Sequence, residues 1–130
     1  MSDYTHKNLT EVHDMAPQFG VSATQEVRFA REALDAEFVG FAHHRVAAGQ
    51  RQAIGHKHDD PGAEEVYVVL SGSGRVKLDD EILDLAPRDA VRVAPQVIRS
   101  FEAGPDGLEM LAFGPRHDGD GEAFFGWWSD

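Results

Sequence analysis

The chain has 130 residues, of which 42% are hydrophobic, so it can bury one sizeable core and is short for two domains. Its 23 acidic residues outnumber its 12 basic ones, and the formal charge of −11 repels phosphate backbones and anionic membranes, so we expect neither nucleic acid nor a membrane as partner. There is no cysteine, so a bound metal would need His, Asp or Glu as its ligands.

The first 36 residues are expected to form a segment that packs on the main domain. Residues 1–25 are polar and predicted to be irregular. They lack a basic region followed by an apolar one, so no secretion signal is indicated and we expect a cytoplasmic location. Residues 27–34 fit either a short helix or a strand, because eight residues are too few to decide the period.

Between residues 37 and 114, short runs rich in Val, Ile, Leu and Phe alternate with turn residues. Their spacing of about 8–12 residues is typical of a single all-β sandwich or barrel. The connections between these runs are close to hairpin length throughout, which predicts antiparallel pairing of the strands. The predicted strands are residues 37–47, 51–58, 65–71, 74–78, 81–85, 90–94, 97–103 and 108–114.

The predicted strand 65–70 is apolar on both parities, so both of its faces should be buried. The tail, residues 115–130, carries four large aromatic residues in five positions, which are costly to leave in water. Two alternatives remain open for this tail: it packs against its own barrel, or it lies at a dimer interface. We expect a homodimer. The four aromatic residues are Phe124, Phe125, Trp127 and Trp128.

Two histidines and one glutamate form the most informative pattern in the chain. His56 and His58 are two positions apart, so on a strand both face the same side. A turn at residues 60–62 would let the next strand bring Glu65 across to them. Two imidazoles and one carboxylate make a set that binds a divalent metal and leaves coordination positions open.

This pattern resembles the first motif of the cupin family, in which a glycine precedes His-x-His, a glutamate and a second glycine. The matching residues are Gly49, His56, His58, Glu65 and Gly72, with insertions in two of the intervals. The resemblance covers residues 37–114 and implies a double-stranded β-helix, a jelly-roll-like barrel. It also implies His56, His58 and Glu65 as ligands of Zn, Fe, Mn or Ni, although a metal-free site remains an equal alternative.

The second motif of the family is not retained. Its register falls on Arg88, Ala94, Gln96, Arg99 and Ala103, so an arginine stands where the family has its fourth metal ligand. A guanidinium cannot ligate a metal and stays charged. At about 5 Å from a divalent ion and an effective dielectric near 20, it would repel that ion by about 6–7 kcal/mol.

The parity of its neighbours predicts that Arg99 points inward. Val97 and Phe101 share its side of the strand and are more apolar than the residues between them. A buried guanidinium needs an anion, which Glu65, Glu64 or a ligand carboxylate would supply.

Other polar residues have more ordinary interpretations. Tyr67 shares the face of Glu65, where its hydroxyl could enter the pocket or its ring could simply pack in the core. One of His43 and His44 must face inward, and a structural, hydrogen-bonded role is expected for it. Glu64 should point outward. The cluster of His117, Asp118 and Asp120 is interpreted as a solvated turn.

The candidate site supports two functions of different classes. The first is binding of a small anionic or sugar-like molecule in the barrel, possible with or without a metal, in which Arg99, Tyr67, His56 and His58 contact the ligand. The second is a metal-dependent enzyme of dioxygenase or isomerase type that uses His56, His58 and Glu65. The sequence does not decide whether the protein is an enzyme, and it names no catalytic residue.

Overall fold

The computed structural model describes residues 3–58, 62–115 and 121–129, and the chain there is mainly antiparallel β-structure. This confirms the predicted all-β barrel. A 3-10 turn (Leu9–Glu11) and two one-turn helices, α1 (Ala16–Phe19) and α2 (Ala30–Ala33), precede or interrupt the strands. The strands are β1 (Gln25–Phe29), β2 (Gly40–Val46), β3 (Ile54–Lys57), β4 (Glu65–Leu78), β5 (Glu81–Leu85), β6 (Ala90–Val93), β7 (Arg99–Gly114) and β8 (Glu122–Phe125).

The strands form one curled sheet built around β4 and β7. The hydrogen-bonded order is β1-β2-β7-β3-β8, and β4 pairs with β5, β6 and β7. Residues of alternate parity on these strands turn inward and form one core. Its members are Val46, Tyr67, Val69, Val76, Leu85, Val93, Phe101, Ala103, Leu108, Met110 and Ala112.

Two of the predicted turns are wrong, because β4 and β7 each run through the glycines that were interpreted as punctuation. Strand β4 has 14 residues and β7 has 16. Their register shifts near Ser71 and again near Gly74, so the glycines mark β-bulges. A Cβ at Gly72 or Gly74 would lie 2.0 Å from a backbone oxygen of β7, so only glycine permits this close approach.

Residues 27–34, where sequence patterning left helix and strand open, contain both. Strand β1 pairs with β2 along its whole length, and α2 follows it directly. The N-terminal segment therefore adds a strand to the sheet. The C-terminal tail adds another, β8, which the sequence did not predict. Residues 116–120, between β7 and β8, lie outside the described residues.

The tail packs against its own barrel, which settles where its aromatic residues lie within one chain. Trp128 is buried between Arg51 and Arg75, and Trp127 lies over Lys77. These contacts cover the second half of β4. The outer face of the first half is not fully covered, because Leu70 is 44% exposed and Val66 and Val68 are only half-buried. The expectation that both faces are buried is therefore wrong for the single chain.

Each described helix is a single turn, and none is long and apolar enough to cross a membrane.

Candidate metal centre

Strand β3 and the start of β4 bring His56, His58 and Glu65 together. His56 is on β3, His58 follows the end of that strand, and Glu65 is the first residue of β4. The backbone around His58 is fixed by two hydrogen bonds of 2.8 Å, from its N–H to the Pro95 carbonyl and from the Ala63 N–H to its own carbonyl. Residues 60 and 61 of the predicted turn lie outside the described residues.

The three side chains offer ligand atoms that all lie within 4.8 Å of one another. Glu65 Oε1 is 3.2 Å from His58 Nε2 and 3.6 Å from His56 Nε2. The two imidazole rings are nearly perpendicular, with centroids 4.9 Å apart. One ion placed among these atoms could therefore reach two nitrogens and one oxygen.

Glu65 is held as a carboxylate by the groups around it. Burial alone would raise its pKa, but hydrogen bonds from His56, His58 and Tyr67 outweigh burial and hold the pKa well below its usual range. The Tyr67 hydroxyl donates to Oε1 at 2.6 Å, and Arg99 Nη1 donates to the same oxygen at 3.2 Å. The carboxylate therefore stays ionised at any ordinary pH.

Arg99 lies in the interior with a fully buried side chain, as its parity predicted. It is the backbone partner of His56 across the β3–β7 pair. Besides its bond to Glu65, the guanidinium donates from Nη2 to the Ala94 carbonyl at 3.0 Å. Glu65 is therefore the counter-charge of this buried cation, and Arg99 lies against the candidate ligand set.

His56 is neutral at neutral pH, which is the state that binds metal. Burial lowers the pKa of His56 and outweighs the opposing effect of Glu65, and the nearby Arg99 and His58 act in the same direction as burial. Two imidazoles and one ionised carboxylate fit a borderline divalent ion such as zinc, iron, manganese or nickel. The residues present therefore fit a metal, although the guanidinium beside them opposes its charge.

His44 is a member of this environment whose place the sequence left open. It is on β2 opposite Met110, so its side chain faces the core. Burial lowers its pKa to about 4, and His56 and Glu65 are close enough to affect it electrostatically. Its Nδ1 is buried without a hydrogen-bond partner among the described residues. The inward histidine is therefore not the hydrogen-bonded one that we expected.

His43 has the structural role instead. It is buried, and its Nε2 lies 2.7 Å from Glu109 Oε2. Strand alternation indicates that one histidine of the pair must face inward, but it cannot say which one has a partner on a distant strand.

Tyr67 combines both roles that the sequence allowed. Its ring packs in the core with its centroid 4.7 Å from that of Phe101, and its hydroxyl reaches Glu65. Burial and the charge of Glu65 raise the pKa of Tyr67 well above its usual value, so the hydroxyl remains a donor.

Glu64 is exposed and pairs with Arg92 at 3.2 Å, which agrees with its predicted outward direction. His117, Asp118 and Asp120 lie outside the described residues.

Comparison with known proteins agrees with this architecture. The family model described as the cupin domain matches residues 42–113, which is more than half of the chain. No curated protein sequence gives a significant match.

Solved structures share the fold at low identity. A cupin protein from Bacteroides fragilis is 21% identical with a TM-score of 0.70, covering 92% of this chain and 89% of its own. The polyketide cyclase RemF from Streptomyces resistomycificus is 17% identical with a TM-score of 0.73, covering 97% and 87%. A putative sugar phosphate isomerase from Acidithiobacillus ferrooxidans is 22% identical with a TM-score of 0.61, covering 75% and 64%. These likenesses concern the fold, and neighbours with this fold carry different functions. The match of the family model shows that the chain belongs to the cupin family.

Proposed function

We propose that this cupin binds a small anionic molecule inside its barrel, assisted by one divalent metal ion held by His56, His58 and Glu65. The observation that carries the proposal is the convergence of these three ligand atoms within 4.8 Å. When bound, the ion would supply a positive centre with open coordination positions for an anionic group of the ligand.

The charges around the site favour an anion over a neutral ligand. The charge of Arg99 cancels that of Glu65, to which it is bonded at 3.2 Å. His56 is neutral because burial lowers its pKa. A divalent ion would therefore keep its two positive charges uncompensated by these residues, and a carboxylate or phosphate would neutralise them. Without Arg99, the Glu65 carboxylate would neutralise one charge of the ion, and only one positive charge would remain for a ligand.

Tyr67 and Arg99 orient the carboxylate rather than the ligand directly. Both donate to Glu65 Oε1, and both side chains are buried. Partners of this kind fix the orientation of a metal-binding carboxylate. His44 is the residue best suited to contact a bound molecule, because it faces the interior and has a buried nitrogen without a partner.

A second candidate function is metal-dependent catalysis of dioxygenase or isomerase type. It is favoured by the shape of the ligand set, since two histidines and one carboxylate leave positions free for both a substrate and water or oxygen. In that case the same three residues would hold the metal, and Tyr67 would keep its proton at neutral pH.

Calorimetry tests the proposal in two steps. The metal-free protein is titrated with Zn²⁺, and the loaded protein is then titrated with glucuronate and, separately, with glucose, which share a ring and differ by a carboxylate. We expect one Zn²⁺ per chain and tighter binding of glucuronate than of glucose. Equal affinity for the two sugars would refute anion selection. Stoichiometric zinc binding by the Glu65→Gln variant would refute the proposed ligand set.

A further inference from the structure

Strand β3, which carries His56, is attached to the barrel mainly through the C-terminal tail. It pairs with β7 at a single position, His56 with Arg99. With β8 it pairs at all four of its residues, from Ile54 with Phe125 to Lys57 with Glu122. The backbone that presents the candidate ligands is therefore ordered on one edge by β8.

The tail also lies directly against both histidines. Ala123 is the backbone partner of His56. Gly121 lies beside the His58 ring, since a Cβ built on this glycine would be 3.5 Å from its Nδ1 and Cε1. Lys57, between the two histidines, lies with its Nζ 3.9 Å from Glu122 and 6.0 Å from the centre of the Phe124 ring.

The end of the tail is anchored by Trp128. Its side chain is 5% exposed, and the guanidinium groups of Arg51 and Arg75 lie 4.5 Å and 5.4 Å from the ring centre. Arg51 also donates to the Trp128 carbonyl at 3.2 Å. Glu102 bonds both arginines, at 2.7 Å and 2.8 Å, so both cations are held in place beside the indole ring.

Trp127 forms a second anchor, directly beneath β3. Its ring packs so closely on Gly55 that a Cβ there would lie 2.8 Å from Cε3. Lys77 Nζ lies 4.7 Å from the ring centre, and the Gly126 N–H donates to the Ala53 carbonyl at 3.0 Å. The packing of Trp127 therefore explains why residue 55, next to His56, has no side chain.

We propose that the tail, residues 121–128, positions His56 and His58 for metal binding, with Trp127 and Trp128 as its positioning residues. This inference rests on the proposed metal site. If the tail is released, β3 keeps only one strand pairing to the barrel, at His56, and His58 keeps its hydrogen bonds to Pro95 and Ala63 but loses its packing against Gly121. The His56 imidazole must then be ordered, and the His58 ring repositioned, at the moment the metal binds. That cost lowers the affinity for the ion without any change in its ligands.

Matched variants separate positioning from general stability. Gly55→Ala adds one methyl group under Trp127, and Trp128→Leu removes the ring between the arginines. We expect both to weaken Co²⁺ binding about 10–100-fold, the range for residues that orient metal ligands, and to alter the visible spectrum of the bound cobalt. Phe125→Leu is the control, because Phe125 is on the same strand and 75% exposed. Trp128→Phe should restore affinity, since it keeps an aromatic face and removes an Nε1 that has no partner among the described residues.

The outcomes distinguish this inference from the proposal beneath it. If wild-type protein binds no Co²⁺, the metal site fails and the inference falls with it. If wild type binds and both folded variants bind equally well with an unchanged spectrum, the metal site stands and the positioning role is refuted. Should the variants not fold, hydrogen exchange on wild type decides. We expect Co²⁺ to protect the amides of residues 54–57 and 122–125 together, and protection confined to residues 54–57 would overturn the inference.

Discussion

The two halves of the barrel begin their motifs with the same left-handed backbone conformation but with different residues. The first motif begins at Gly49 with φ +70°, and the degenerate second motif begins at Arg88 with φ +74°. The first half supplies His56, His58 and Glu65, whereas the second supplies Arg99 at the position facing them. The difference teaches that one barrel can carry different chemistry in its two halves. One half holds candidate ligands, and the other adds a fixed positive charge.

The largest expected effect comes from breaking the first half. His56→Ala removes one of three ligands and should reduce Zn²⁺ affinity by at least about 100-fold, measured by calorimetry at pH 7. Affinity in the wild type should fall as pH decreases, because protonated imidazole cannot ligate. The control is His13→Ala, at an exposed histidine of the N-terminal segment. Stoichiometric metal that survives His56→Ala would place the site elsewhere.

The lowered pKa of His44 predicts how the stability of the metal-free protein depends on pH. The pKa of His44 is about 4 in the folded chain and 6.5 in an unstructured one. Between these values the unfolded chain binds an extra proton, so the free energy of unfolding should decrease by about 3 kcal/mol as pH falls from 6.5 to 4. Urea titrations at several pH values measure this. His44→Phe should flatten the profile, and an unflattened profile would mean that other groups cause it.

Arg99→His gives the second half of the barrel a metal-binding side chain, as the first half has. The variant loses the repelling charge and gains a possible fourth ligand, so Zn²⁺ affinity should rise, by at least about tenfold. Affinity for carboxylate ligands should fall, because without Arg99 the Glu65 charge leaves the ion with one uncompensated positive charge instead of two. Arg92→His is the matched control, since Arg92 is exposed and pairs with Glu64. Unchanged metal affinity in Arg99→His would contradict the charge argument.

Self-association stays a prediction, now confined to the uncovered part of β4. Leu70 with Val66 and Val68 leaves an apolar strip on the outer face, since the tail covers only the far half of the strand. We expect a dimer at tens of micromolar in sedimentation velocity, and Leu70→Lys should shift it to monomer. Phe125→Lys tests the tail as the interface instead. A monomeric wild type would remove the prediction.

The smallest effect should come from the backbone that the two motifs share. Arg88 is exposed and has a left-handed conformation that favours glycine, so Arg88→Gly should stabilise the fold by about 0.5–1 kcal/mol. The reciprocal change, Gly49→Ala, meets no atom within 4 Å, so its expected loss of about 1 kcal/mol is conformational strain alone. Thermal unfolding measures both. Changes of the opposite sign would show that left-handed backbone strain does not determine the stability at these two positions.

The sequence predicted the barrel and the convergence of the ligand set because both depend on local periodicity. Alternation placed His56 and His58 on one face and turned Arg99 inward. It could not show that Gly72 and Gly74 are bulges within a long strand, since a bulge and a turn use the same residues. It also missed β8, because four residues with aromatic character do not reveal which edge they pair with. The partner of His43, 66 positions away, was equally beyond local patterns.

The central claim, that one metal ion is held by His56, His58 and Glu65, is tested most directly by crystals grown with Zn²⁺ and measured at the zinc absorption edge. We predict one anomalous peak per chain, about 2.0–2.2 Å from a nitrogen of each histidine and from a Glu65 oxygen. A peak at another position, or no peak at a zinc concentration that saturates calorimetric binding, would contradict the account.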